Sequence, residues 1–194
     1  DLKVLKNNFK SIDDVQDVKK MPTIKNLLLH TAGFSYNFIG DIVGEKYHQV
    51  GLFNSENTTL EKEINLLASL PLLYEPSTSW VYSVSIDILA RIIEVVSGNN
   101  LEEELKKRIF QPLEMIDTSF IIANENEYRL MKSYHYDLRK KKLIDPITHP
   151  RKISNYGYPI NKMTFARGGI GLFSTVNDYS KFTQMLLSGK TKTN

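Results

Sequence analysis

The clearest hydrophobic pattern in the chain lies in residues 85–97. Apolar residues recur there every three or four positions, which is the spacing of one face of an α-helix. Ser85 is the predicted N-cap, and Gly98 is the predicted end of the helix. We therefore expect a helix over 85–97, packed centrally, whose buried face comprises Ile88, Ile92, Val95 and Val96.

Four further stretches show the same period or helix-capping residues. Each begins after a polar residue that can accept a backbone N–H, and each stops near a proline or glycine. The predicted helices are Ile24–His30 after Pro22-Thr23, the run from Leu60 to Leu70 after Thr58 and Glu61, the run from Leu101 to Ile109 after Asn100 and Glu103, and the run from Val176 to Leu186 after Thr175 and Asp178.

The remaining stretches lack a sustained period. Residues 1–20 are polar and mixed, and we expect a loop there with at most a short helix. Residues 34–57 are aromatic and contain glycine, which indicates a loop packed on a core. Residues 117–167 are interrupted by prolines and glycines and should be mostly loop with short strands. The fold class is therefore mainly α with short strands, and the missing βαβ alternation argues against Rossmann folds and TIM barrels.

Composition excludes several classes of protein. The chain has 194 residues, 41% hydrophobic and 24% charged, which is ordinary for a soluble globular protein. Its formal charge of +3 is too small and too dispersed to favour nucleic acid, and the run 139–142 is interpreted as a solvated loop. No apolar run is long enough to span a bilayer. The compartment stays open between periplasm and cytoplasm, and so does the oligomeric state.

The residues alone suggest no metal or cofactor site and no nucleophile. No two of the four histidines have the i, i+4 spacing with which a helix binds zinc, and there is no cysteine. The glycine-rich run 167–172 lacks the ending of a phosphate loop, so a tight turn with closely approaching backbones is expected. No Gly-x-Ser-x-Gly is present, and no serine has a lysine three positions later.

Three stretches nevertheless resemble one enzyme family. They are 23–36, with His30-Thr-Ala-Gly33, then 70–115, with Tyr82-Ser83-Val84, and finally 168–187, with Gly168-Gly169-Ile-Gly171. Their order and spacing resemble the serine β-lactamase and penicillin-binding protein superfamily, in its class C β-lactamase-like branch. The resemblance implies that the chain is the helical part of that α+β fold, as a single, incomplete domain over 1–194.

The resemblance also implies site residues. The family uses Ser-x-x-Lys, a Tyr-x-Asn or Tyr-Ser-x element, and a Lys-Thr-Gly or His-x-Gly strand. Tyr82 matches the tyrosine that serves as general base or proton relay, with Ser83, Val84 and Tyr36 as substrate-binding residues, although core packing is an equal alternative for Tyr36. Val84 stands where many β-lactamases have asparagine, which resembles the esterase branch. The other two elements are expected upstream and downstream of these residues.

Two functions of different class follow. The first is a serine hydrolase, either an esterase or a β-lactamase-like enzyme. In its intact form it would form an acyl-enzyme with a small-molecule ester or β-lactam-like substrate, and we expect this chain alone to be inactive. The second is a non-catalytic remnant or binding module with the same helical fold. By contrast, His30 is interpreted as a structural residue, and Asp87 and Asp178 as charges that favour the first turn of a helix.

Overall fold

The computed structural model describes residues 1–52, 58–132, 134–144 and 165–189. The described residues form two compact units. One unit holds those up to Arg108 together with 165–169, and the other holds those of 109–144 together with 170–189. The prediction of a mainly helical chain with short strands is confirmed. The prediction of a single domain over 1–194 stays a prediction.

The first unit begins with a hairpin. Strands β1 (Lys3–Leu5) and β2 (Val15–Asp17) pair antiparallel. The Leu5 N–H also donates to the Leu72 carbonyl oxygen at 3.0 Å, which ties the hairpin to a distant part of the chain. The expectation of a loop or short helix in 1–20 is therefore wrong. Strands of three residues are too short to show an alternating pattern, and the pairing that stabilises them is not visible locally.

Two short helices follow the predicted pattern with shifted ends. Helix α1 (Ile24–Leu28) stops earlier than expected because His30 adopts a left-handed backbone conformation with φ 53°. Helix α3 (Leu60–Ala68) is capped by Thr59, whose hydroxyl accepts a backbone N–H at 3.2 Å. The predicted cap, Thr58, is thus wrong by one residue, because two adjacent threonines offer the same chemistry.

A helix also lies where a loop was expected. Helix α2 covers Ile42–Gln49, and Asp41 caps it by accepting the Gly44 N–H at 2.8 Å. Val43 and Tyr47, one turn apart, are both fully buried. The prediction of a loop across 34–57 was therefore wrong, because the aromatic and glycine content obscured a single buried i, i+4 pair.

Helix α4 (Ser85–Ser97) lies at the centre of this unit, as predicted. It contacts α1, α3 and α5 (Leu101–Leu105), and one π-helical turn over Lys106–Phe110 follows α5. Gly98 ends α4 with a left-handed backbone. The predicted N-cap was wrong by one residue, because Ser85 is the first helical residue and its hydroxyl lies 2.8 Å from the Ser83 hydroxyl instead of capping the helix.

The buried face of α4 differs from the prediction at its last turn. Ile88 and Ile92 are partly buried against the core as expected, but Val95 and Val96 are 66% and 81% exposed. The fully buried polar residues on the helix are Ser85 and Asp87. The apolar period marks a face but does not show how far along the helix its neighbours extend, and the described residues leave the last turn uncovered.

The core of the first unit is one apolar cluster. It draws side chains from β1, α1, α2, α3 and the segments between them. Its fully buried members include Tyr47, Leu67 and Leu72, and Val84 joins them from the residue before α4. The cluster fixes the segment that leads into α4, which carries the residues singled out by sequence.

The second unit is held by fewer described elements. It contains a 3₁₀ helix (Asn124–Arg129), an antiparallel hairpin of β3 (His135–Asp137) and β4 (Lys142–Ile144), and helix α6 (Val176–Ser188). Asp178, in the first turn of α6, is buried and accepts the Asp117 N–H at 2.7 Å. It is thus a first-turn charge, as predicted, and also an internal hydrogen-bond acceptor.

Candidate active site around Tyr82

Tyr82 lies in the irregular segment immediately before α4. Its side chain is 44% exposed, so its phenol is accessible to a ligand. Its ring contacts two other aromatic rings, with centroid distances of 4.8 Å to His30 and 5.3 Å to Tyr36. Tyr82 is therefore an accessible hydroxyl group on a ring that two neighbours hold in place.

His30 is fixed by the residue that follows Tyr82. The Ser83 N–H donates to His30 Nδ1 at 3.2 Å, so Nδ1 carries no proton. Burial lowers the pKa of His30 below its usual value, which keeps the ring neutral near neutral pH with its proton on Nε2. His30 thus has the structural role predicted for it, with Ser83 as its partner.

The side chains of Ser83 and Val84 lie in the interior. Ser83 is 1% exposed, and its hydroxyl lies 3.2 Å from His30 Nδ1 and 2.8 Å from the Ser85 hydroxyl. Val84 is fully buried, and its N–H donates to the Ser35 carbonyl oxygen at 3.2 Å. Both residues thereby fix the backbone on the C-terminal side of Tyr82, and neither presents its side chain to solvent.

Tyr36 is buried beside Tyr82. Its ring stacks on Phe38 with centroids 4.7 Å apart, and its hydroxyl donates to Asp87 Oδ2 at 3.4 Å. Burial, and then the negative charge of Asp87, raise the pKa of Tyr36 well above the ordinary tyrosine value. Tyr36 therefore stays protonated and remains a donor.

Asp87 forms the centre of a buried polar cluster. Its Oδ1 accepts the Arg167 Nε–H and the Gly169 backbone N–H, both at 3.3 Å. Arg167 is itself only 4% exposed. A Cβ on Gly168 would lie 2.1 Å from the Ile86 carbonyl oxygen, so the predicted close backbone approach is present at Gly168.

Sequence reasoning missed part of this arrangement. Asp87 was interpreted as a first-turn charge that also fits a Tyr-Ser-Val-x-x-Asp pattern resembling the esterase branch, and Arg167 was noted only as the start of the glycine-rich run. The available signal was an acid five residues after Tyr82, in the first turn of a predicted helix. Its partner lies eighty residues further along the chain, and no local pattern indicates that pairing.

The comparisons with known proteins decide the family. The family model described as "Beta-lactamase" matches residues 12–194. The chain belongs to the beta-lactamase family. Within this family, the lovastatin esterase of Penicillium rubens is 31% identical to the chain over 167 residues, which make up 86% of this chain and 40% of that esterase.

Two solved structures show the same fold. Simvastatin synthase LovD from Aspergillus terreus superimposes with a TM-score of 0.71 at 23% identity, covering 96% of this chain and 44% of that protein. EstCE1, described as a hydrolase with promiscuous acyltransferase activity, gives 0.69 at 28% identity, covering 94% and 49%. This beta-lactamase-family chain thus spans less than half the length of each protein named. Among the described residues, no helix is long and apolar enough to cross a membrane.

Proposed function

We propose that the whole protein is a serine hydrolase that cleaves small-molecule esters through an acyl-enzyme, and that this chain supplies Tyr82 as a proton-transfer group. The observation that carries the proposal is the placement of Tyr82. The position that matches the family's catalytic tyrosine holds a half-exposed phenol between two aromatic rings. The match to a lovastatin esterase supports ester substrates.

The proposed chemistry has two steps. A serine hydroxyl attacks the ester carbonyl carbon and gives its proton to the Tyr82 phenolate, and the departing alkoxide takes that proton as the acyl-serine forms. Water then attacks the acyl-serine by the same proton path, releasing the acid and restoring the serine. A tyrosine acts as a base near neutral pH only beside a cation. We propose that a Ser-x-x-Lys outside these 194 residues supplies both the nucleophile and that cation.

We propose supporting roles for the other residues singled out by sequence. Ser83 and Val84 fix the backbone next to Tyr82 through the His30 and Ser35 contacts, and Tyr36 supports the Tyr82 ring. Their buried side chains favour this role over direct contact with a substrate. The apolar Val84 also means that no side-chain amide is present at the position where many β-lactamases carry one.

We expect the whole protein to prefer p-nitrophenyl esters of short acids over a cephalosporin. A missing amide donor leaves a polar group of the lactam side chain unpaired, which costs about 1–3 kcal/mol in the transition state, or roughly 5- to 150-fold in kcat/KM. Steady-state kinetics on both substrates measure the ratio. A higher kcat/KM for the cephalosporin would overturn the assignment to esters.

A non-catalytic binding module is the second candidate. It is favoured by one observation, the absence of Ser-x-x-Lys from the 194 residues. The same assay separates the two functions. Turnover by the whole protein supports the hydrolase, and complete absence of turnover on esters and lactams supports the binding module.

A further inference from the structure

The Asp87 carboxylate connects three parts of the first unit. Its Oδ1 accepts hydrogen bonds from Arg167 and from the Gly169 backbone, while its Oδ2 accepts one from the Tyr36 hydroxyl. The side chain is fully buried, as is nearly all of Arg167. The distances of 3.3–3.4 Å show that each partner contacts the carboxylate directly.

We infer that Asp87 is a positioning residue for Tyr82 and acts through Tyr36. Asp87 holds the Tyr36 hydroxyl, and the Tyr36 ring lies against the Tyr82 ring at 5.3 Å. His30 contacts the Tyr82 ring with a centroid distance of 4.8 Å, and the Ser83 N–H in turn donates to His30. The orientation of Tyr82 therefore depends on two fixed neighbours. The inference rests on the proposed function only where it concerns turnover.

The hydrogen bond between Tyr36 and Asp87 has a defined donor and acceptor. The Tyr36 hydroxyl donates to Asp87 Oδ2, while Oδ1 of the same carboxylate accepts from the Arg167 guanidinium. The hydrogen bond to Asp87 fixes the position of the Tyr36 hydroxyl, and the stacking on Phe38 fixes the plane of the Tyr36 ring.

The glycine at position 169 is part of the same arrangement. A Cβ there would lie 2.7 Å from the Tyr36 hydroxyl oxygen and 3.1 Å from Asp87 Oδ2. Any larger residue would push Tyr36 away from the carboxylate. The sequence therefore keeps room for the Tyr36–Asp87 contact, in addition to the ion pair with Arg167.

A purely stabilising role explains the cluster less well. Burying two charges costs solvation free energy, and apolar residues of similar volume often stabilise a core equally well. What a buried ion pair adds is fixed geometry for the groups that it contacts. Here, one of those groups is the ring that supports Tyr82.

The kinetic test uses Asp87→Asn, Tyr36→Phe and the double variant in the whole protein, on a p-nitrophenyl ester. Because a misplaced reacting group slows the chemical step, each single variant should lower kcat by about 10- to 100-fold, with KM within about twofold of wild type. Since both changes alter the same Tyr36–Asp87 contact, the double variant should be no slower than the slower single variant. Tyr47→Phe is the matched control, because it removes a fully buried tyrosine hydroxyl elsewhere in the core and should leave kcat unchanged.

An independent readout follows the Tyr82 ring itself. In whole protein labelled with ¹³C at tyrosine Cε, the Tyr82 signal is assigned by its loss in Tyr82→Phe. It should shift in Asp87→Asn and in Tyr36→Phe and stay in place in Tyr47→Phe. This readout needs no turnover, so it tests the positioning role even if the proposed hydrolase activity fails.

Three outcomes would overturn the inference: additive losses of kcat in the double variant, wild-type kcat in Tyr36→Phe, or a Tyr82 signal that ignores both changes. If Asp87→Asn does not fold, Asp87→Asn/Arg167→Gln removes both buried charges together and replaces it in each comparison. Tyr36→Phe keeps its ring and its stacking on Phe38, and it tests the same contact from the other side.

Discussion

Tyr82→Phe is expected to lower kcat on a p-nitrophenyl ester by about 100- to 10,000-fold in the whole protein, the usual range for removing a proton-transfer group. The substitution deletes one oxygen atom and retains the ring, so the contacts with His30 and Tyr36 persist. The phenol is accessible while the ring is held, so the lost activity is chemical and not structural. Steady-state kinetics give the size of the loss.

The control is another exposed tyrosine. Tyr128 is 84% exposed in the second unit, and Tyr128→Phe should retain wild-type kcat. Thermal unfolding should give the same Tm for both variants, because both tyrosine side chains are exposed. A Tyr82→Phe enzyme with wild-type kcat would remove Tyr82 from the mechanism.

Asp87→Ala is expected to cost about 3–5 kcal/mol of unfolding free energy, the range for breaking a buried ion pair by removing one partner. The change leaves the Arg167 guanidinium buried without its Asp87 counterion. It also removes the acceptor of the Tyr36 hydroxyl and the Gly169 N–H. Urea unfolding of the whole protein, followed by circular dichroism, measures the loss.

Two comparisons isolate the charge effect. Asp87→Leu/Arg167→Met, which removes both charges, should lose much less stability than Asp87→Ala, because no unpaired charge remains buried. Asp17→Ala breaks the exposed Lys3–Asp17 pair and should have little effect, since water screens that pair. If the double variant were as unstable as Asp87→Ala, the loss would come from packing and not from charge.

The helices were predictable from sequence where local signals agreed. The apolar period of 85–97 and the left-handed Gly98 fixed α4 to within one residue at its start. Asn100 with Glu103, and Thr175 with Asp178, gave the caps that the structure shows for α5 and α6. These features depend on neighbours within one helical turn, and such neighbours are visible in a sequence.

Elements that depend on distant partners were missed. The hairpin of β1 and β2 is stabilised by pairing with Leu72, and α2 is recognisable only by Asp41 and one buried pair. Val95 and Val96 were predicted to be buried but are exposed, because the spacing of apolar residues along a helix does not show which other elements pack against it. Tertiary contacts determine the pairing of the hairpin, the formation of α2 and the exposure of Val95 and Val96.

The candidate site likewise has one part that the sequence identifies and another part that only the folded chain brings together. The Tyr82-Ser83-Val84 motif identified the segment through its resemblance to the tyrosine element of the family. The contacts of the supporting residues could not be derived, since His30 meets Ser83, and Tyr36 and Arg167 meet Asp87, only through folding. Burial then separates Tyr82 from its neighbours, because its side chain is accessible while those of Ser83 and Val84 are enclosed.

The most direct test of the central claim is mass spectrometry of the whole protein during turnover of a slowly deacylated ester. The account predicts a covalent acyl group on one serine that lies outside these 194 residues and has a lysine three positions after it. Tyr82→Phe should slow the appearance of that adduct. Ester turnover without any acylated serine, or an adduct on a serine of this chain, would contradict the account.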